Sequence, residues 1–212
     1  MGQGGHMTIR AVVFDIGGVL EVIDDAVFPG PAEQRLGLAA GAITGGLAGL
    51  PGDAVIGQVT EAEVRAEWTR SLGLDEAQAD ELLADFWRWY VGTLDRRLAD
   101  WFAAQRPDRL TGILSNSGPG AREAERVHGF EAITDDIVYS HEVGLAKPDP
   151  AAYELTTRRL GVEPAEVLFL DDVEANVDAA RAFGWHAVLH VDTSTSIREM
   201  EEIIAAQAGL HT

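Results

Sequence analysis

Four groups of residues in this 212-residue chain have types and spacings that can do chemistry. The first is Asp15, which ends the apolar run Ala11-Val-Val-Phe14 and is followed by Ile16-Gly17-Gly18. A carboxylate at the carboxyl end of a buried strand, with a Gly-Gly turn behind it, stands where an open α/β sheet presents its reactive groups. The second is Leu114-Ser115-Asn116-Ser117, whose hydroxyl, amide and backbone N–H groups suit phosphate oxygens, although Ser117 reads as a plain helix N-cap. The third is Gly144-Leu-Ala-Lys147-Pro148-Asp149-Pro150, a loop stiffened by two prolines. Lys147 is the single lysine in a chain with fifteen arginines, which points to a need for a compact point charge in place of a planar fork. The fourth is Asp171-Asp172, directly after Val167-Leu-Phe-Leu170.

Brought together at the ends of parallel strands, Asp15 and the Asp171-Asp172 pair would repel one another if all were ionised and unpaired. A divalent cation removes that conflict. Mg²⁺ prefers oxygen ligands and takes a few protein oxygens together with water and a substrate phosphate. The competing reading, an acidic pair capping a helix that starts near Val173, accounts for one Asp and leaves the other unexplained.

These residues need elements to position them. Strand patterns recur at Ala11–Phe14, Arg109–Leu114, Ile137–Tyr139, Val167–Leu170 and Ala187–Val191. Helical periods lie between the later ones, at about Gly120–Val127, Pro150–Leu160, Glu174–Phe183 and Ser196–Gln207. Alternation of strand and helix predicts an α/β fold, a Rossmann-like parallel sheet with helices on both faces. Gly161 and Gly184 stand where helix C-caps belong, and Pro150 and Pro164 suit first turns.

The stretch from Glu21 to Arg97 breaks the rhythm. It opens Gly- and Ala-rich over Gly37–Gly57, then turns helical, with Thr60-Glu-Ala-Glu63 as a capping box and a second helix over Asp75–Tyr90. No strand is evident there. We expect a core of residues 7–20 and 98–212 and a small α-helical cap, residues 21–97, inserted after the first strand. Trp68, Phe86, Trp87, Trp89 and Tyr90 read as the core of that insertion.

Composition excludes other classes. A formal net charge of −19 argues against a nucleic-acid surface, which needs clustered Lys and Arg. Hydrophobic residues at 46% without a long uncharged apolar run predict no membrane span. The absence of Cys excludes disulfides and thiol nucleophiles and fits a reducing, cytoplasmic setting. Met1–Met7 lacks the basic and apolar regions of a signal peptide and reads as a disordered start or a cloning remnant. Monomer and homodimer are both compatible with the sequence.

In their order, Phe14-Asp15-Ile-Gly-Gly-Val-Leu20, Leu114-Ser115-Asn116, Lys147-Pro-Asp-Pro150 and Leu170-Asp171-Asp172-Val-Glu-Ala-Asn176 resemble the motifs of the haloacid dehalogenase-like hydrolases. The resemblance runs from Ile9 over nearly the whole chain and is closest to small-cap, glucose-1-phosphatase-like members acting on sugar phosphates. It implies a nucleophile at Asp15, phosphate binding at Ser115 and Lys147, and Mg²⁺ held by Asp15, the carbonyl of Gly17 and Asp172, with Asp171 close behind. Asn116, beside the motif serine, is placed to touch substrate. The activity implied is hydrolysis of a small phosphorylated metabolite through an aspartyl-phosphate.

One position departs from that pattern. Most phosphatases of the family carry a second Asp two residues after the nucleophile, where it protonates the leaving group; here that residue is Gly17. General acid–base assistance is worth roughly 10² to 10⁴ in rate. Its loss leaves three readings: a substrate with an easier leaving group, such as a sugar 1-phosphate or an acyl phosphate; a substitute among His141, Asp24 and Asp25; or a weakened or lost enzyme. A phosphotransferase or mutase, a 2-haloacid dehalogenase and a non-catalytic binding protein are the rival functions. A mutase needs an acid at position 17, and a dehalogenase leaves the Asp171-Asp172 pair idle.

Overall fold

The computed structural model describes residues 8–209; the Met1–Met7 stretch lies outside them. Strands β1 (Ala11–Phe14), β4 (Leu110–Ser115), β5 (Asp136–Tyr139), β6 (Val167–Asp171) and β7 (His186–Leu189) form a parallel sheet in the order β5-β4-β1-β6-β7. The central strand β1 is paired on both edges, with Phe14 opposite Ile113 and Leu170. Every residue of β1 and β6 is buried, as expected for strands covered on both faces.

Strand side chains alternate between faces, and this divides the core in two. Val12, Phe14, Ile113, Leu168 and Leu170 pack with Leu98 and Phe102 of α5 (Arg96–Ala103) and Met200 of α11 (Thr193–Gly209). Ala11, Val13, Leu114 and Phe169 face Tyr153 of α9 (Pro150–Leu160) and Val177 of α10 (Glu174–Phe183). Helices α9 and α10 keep their predicted bounds, because Asp149 caps the Ala151 N–H, Pro150 takes the first turn, and Gly161 and Gly184 close the ends in the left-handed region. The helix expected over Gly120–Val127 is instead α6 (Ala121–Glu125) followed by a tighter 3₁₀ turn, Arg126–His128. Two single-turn helices, α7 (Phe130–Ile133) and α8 (Ser140–Val143), flank β5.

Between β1 and β4 the chain forms α1 (Gly30–Leu36), α2 (Ala42–Gly45), α3 (Glu61–Leu72) and α4 (Glu76–Val91). The capping box at Thr60 is present in both directions, and Asp75 and Gln78 build a second one for α4. Phe28, Ile43, Trp68, Ala79 and Leu82 form an apolar cluster of their own. The expectation that no strand occurs here is corrected. Strands β2 (Glu21–Val22) and β3 (Thr93–Leu94) pair antiparallel, Glu21 with Leu94 and Val22 with Thr93, and join the two ends of the segment. Two-residue strands are too short to show a period in sequence. Helix α5 crosses the expected boundary at residue 97 and packs on the sheet. Among the described residues no helix is long and apolar enough to cross a membrane.

Candidate active site

Parallel strands put their carboxyl ends on one rim, and the register does the rest. Phe14 lies opposite Leu170, so the next residues, Asp15 and Asp171, meet across β1 and β6. Asp15 donates its backbone N–H to the Leu170 carbonyl at 2.9 Å. Lys147, from the loop before α9, sends its Nζ between the two acids, 2.8 Å from Asp15 Oδ2 and 2.7 Å from Asp171 Oδ2. Its side chain is wholly buried, 0% exposed, and so is that of Asp171, while Asp15 keeps an edge open to the space above it. The single ammonium of the lone lysine serves both acids.

The supports of this triad are local. Asn116 clamps the Lys147 backbone, its Nδ2 donating to the Lys147 carbonyl at 2.7 Å and its Oδ1 accepting the Lys147 N–H at 2.8 Å. Asp171 accepts from the Val173 N–H at 2.8 Å and from Asn176 Nδ2 at 3.0 Å, so its carboxylate is fully engaged. Asp15 Oδ1 accepts the Ile16 N–H at 2.8 Å, which leaves Oδ2 facing the lysine. Ser115 is buried at the end of β4, and no described group bonds to its hydroxyl. Ser117 does not cap α6, whose N-cap is Gly120. Its N–H donates to Ser140 Oγ and its hydroxyl pairs with His141 Nδ1 at 2.8 Å.

Oxygen atoms of Asp15, Asp171 and Asp172 lie within 4.8 Å of one another. No described residue donates a side-chain hydrogen bond to Asp172, which is the most exposed of the three. The turn is cut to fit it: Gly18 has φ +74°, and a Cβ there would stand 2.2 Å from Asp172 Oδ2. Hard carboxylate oxygens without nitrogen or sulfur ligands match the preferences of Mg²⁺. Burial pushes Asp15 up to about 7, against the lowering by Lys147, and burial followed by the Asp171 charge raises Asp172. An additional positive charge at the cluster would offset both rises.

A cavity of about 160 Å³ opens over Asp15 and is lined by Asp15, Gly17, Ile23, Trp89, Tyr90 and Asn116. Of the aromatics expected in the core of the insertion, Trp68 is buried there and Phe86 and Trp89 pack against it, while Trp89 also lines this cavity together with Tyr90. Helical spacing alone could not separate them, because α4 turns one face to α3 and its last turn to the strand ends. The three substitutes considered for the acid missing at position 17 are not among the lining residues. Asp24 accepts the Ala26 N–H, Asp25 accepts Trp89 Nε1, and His141 pairs with Ser117. Behind the site sit two acids that the sequence reading passed over, Glu21 and Glu125. Burial is the leading cause that lifts Glu21 to about 10 and Glu125 to about 7. Both Glu21 oxygens lack a hydrogen-bond partner among the described residues, His128 Nε2 standing 3.4 Å from Oε1, while Glu125 accepts the Tyr139 hydroxyl at 2.5 Å.

The chain is similar to several known proteins. Phosphatase MT3486 of Mycobacterium tuberculosis is 33% identical over 201 residues, 91% of this chain and 92% of that protein. Bifunctional epoxide hydrolase 2 of Sus scrofa is 28% identical over 222 residues, 95% of this chain, and the match spans only 40% of that longer protein. A HAD family enzyme of Bacteroides thetaiotaomicron, solved with magnesium and inorganic phosphate, has the same fold with a TM-score of 0.72 at 21% identity, covering 89% of this chain and 98% of that one. The family model described as haloacid dehalogenase-like hydrolase matches residues 9–184. With Asp15, Lys147, Asp171 and Asp172 gathered on one rim of the sheet, the chain belongs to the haloacid dehalogenase-like hydrolases.

Proposed function

We propose that this hydrolase is a Mg²⁺-dependent phosphatase that cleaves a small phosphorylated metabolite, with sugar phosphates as the first class to test. The observation that carries the reading is the buried Lys147 ammonium bridging Asp15 and Asp171 beside the Asp172 carboxylate. Similarity to a mycobacterial phosphatase, and the fold shared with an enzyme solved with magnesium and phosphate, support it. The segment 21–97 acts in this reading as a cap over the site and the remainder as the catalytic core.

Asp15, Asp172 and the Gly17 carbonyl would hold the cation, with Asp171 behind them. When bound, it supplies positive charge against the phosphoryl oxygens. Asp15 attacks phosphorus in line; the bond to the leaving oxygen breaks, and its electron pair goes to that oxygen, which then takes a proton from water. Lys147 holds Asp15 oriented and adds charge against the phosphoryl group, while Asn116 fixes the loop that carries the lysine. Ser115, at the end of β4, has a hydroxyl without a partner among the described residues and is assigned to a phosphoryl oxygen. Water then hydrolyses the aspartyl-phosphate and restores Asp15. A haloacid dehalogenase would share the nucleophile and would need no divalent cation at the carboxylate cluster.

The test is a screen of metabolite phosphates with Mg²⁺, run beside Asp15→Asn. Phosphate release from at least one substrate, abolished by the substitution and by chelation, is expected. Undiminished release by Asp15→Asn, or full turnover in excess chelator with metal removal verified, overturns the proposal.

A further inference from the structure

Resting on the phosphatase reading, we propose that the Tyr90 hydroxyl is the group that hydrogen-bonds the leaving oxygen, in the role that Gly17 cannot fill. In-line displacement places the leaving oxygen on the side of phosphorus opposite the nucleophile. Asp15 belongs to the rim of the sheet, so that side faces the helical segment. From that segment and its entry the cavity is lined by Ile23, Trp89 and Tyr90. Ile23 has no polar side-chain atom. The indole Nε1 of Trp89 is already committed to Asp25 at 3.1 Å. Tyr90 lines the cavity together with Asp15 and Gly17, and its hydroxyl makes no hydrogen bond to any described residue.

The ring is held while the hydroxyl is free. Tyr90 packs edge-on against Trp87, centroids 5.3 Å apart, and tilted against Phe86 at 5.7 Å. Burial, then the neighbouring carboxyl groups of Glu125, Glu21 and Asp15, raise its pKa, so the phenol keeps its proton across the neutral range and remains a donor. A donor that stabilises a developing alkoxide without surrendering its proton needs no titration near pH 7. The gap at position 17 has room for a side chain, since a Cβ built on Gly17 meets nothing within 4 Å.

Tyr90→Phe preserves the ring packing and removes only the donor. Purified wild type, Tyr90→Phe, Gly17→Asp and the double variant would be assayed with Mg²⁺ on phosphate esters ranging from p-nitrophenyl phosphate to alkyl and sugar phosphates. A hydrogen bond to a charged oxygen is worth enough that Tyr90→Phe should lose about 10- to 100-fold in kcat on alkyl esters. On p-nitrophenyl phosphate, whose leaving group needs no donor, the loss should stay within about threefold, so the dependence of rate on leaving-group pKa steepens. Gly17→Asp should restore the alkyl-ester rate in the Tyr90→Phe background. An active wild type whose leaving-group dependence is unchanged by Tyr90→Phe, or an equal loss on every ester, overturns this assignment alone. A wild type that hydrolyses none of the esters overturns the phosphatase reading and this one with it.

Discussion

Replacing Lys147 with methionine keeps the unbranched stem and deletes the charge that Asp15 and Asp171 share. At separations of 2.8 and 2.7 Å, each contact carries about 6 kcal/mol of attraction at an effective dielectric constant of about 20. Most of that is offset by the desolvation of three buried ions, but the offset is not recovered when one partner is removed. Two largely buried carboxylates then remain at the rim of the sheet without their cation. Severing a buried pair in this way costs ~3–5 kcal/mol. In a chain of this size each kcal/mol moves the melting temperature by roughly 2–4 °C, so a fall on the order of 10 °C is expected at pH 8 in chelator. The loss should depend on pH with a definite sign. Asp15 already stands at about 7, and without the lowering by Lys147 it climbs further, so it protonates and the penalty shrinks as pH falls toward 5. Mg²⁺ should return part of the stability by supplying positive charge to the same carboxylates, with catalysis still absent. Thermal denaturation of both proteins at pH 5 and 8, with chelator and with Mg²⁺, measures all of this. A loss below about 1 kcal/mol at pH 8 without metal would refute the argument that Lys147 balances the buried acids.

Two further perturbations test the surroundings of the site. Asp15, Glu21 and Glu125 all have folded pKa values above their ordinary ones, at about 7, 10 and 7. Each therefore adds stability that is complete below its ordinary value and is lost as pH rises through its folded value. The metal-free protein should lose stability from about pH 4.5 upward, by roughly 1.4 kcal/mol per pH unit for each such group. Glu21→Gln copies the shape of the protonated acid and should flatten that decline most clearly between pH 7 and 10; an unchanged melting-temperature profile would show that Glu21 is not the neutral group described. Gly18→Ala puts a methyl group where Asp172 Oδ2 stands and forces a residue with a side chain to φ +74°. Mg²⁺ affinity by titration calorimetry should fall at least tenfold while circular dichroism stays native, and an undisturbed affinity would exclude Asp172 from the cation site.

Much of the molecule can be read without coordinates. Apolar runs ending in Asp15, Ser115 and Asp171 specify buried parallel strands and their reactive rim, because a strand covered on both faces is mostly apolar until it ends, the buried Thr111 of β4 being accommodated by its hydrogen bond to the Ile133 carbonyl. Asp149, Pro150 and Gly161 bound α9 through local backbone geometry, so its limits follow from composition alone. The lone lysine marked Lys147 before its partners were known. What only the tertiary structure decided depends on distances between residues remote in the chain. The β2–β3 pair joins residues some seventy positions apart with two residues on each side, too few for any local signal. Asn116 lies next to the motif serine, yet its bonds go to the backbone of Lys147, thirty-one positions away. Glu21 and Glu125 look like ordinary surface acids in sequence and are buried together behind the site. Tyr90 shares the spacing of Leu82, Leu83 and Phe86 on one amphipathic helix. Whether its hydroxyl meets the apolar cluster or the space over Asp15 is set by the way the last turn of α4 is delivered to the strand ends, and a helical period carries no information about that placement.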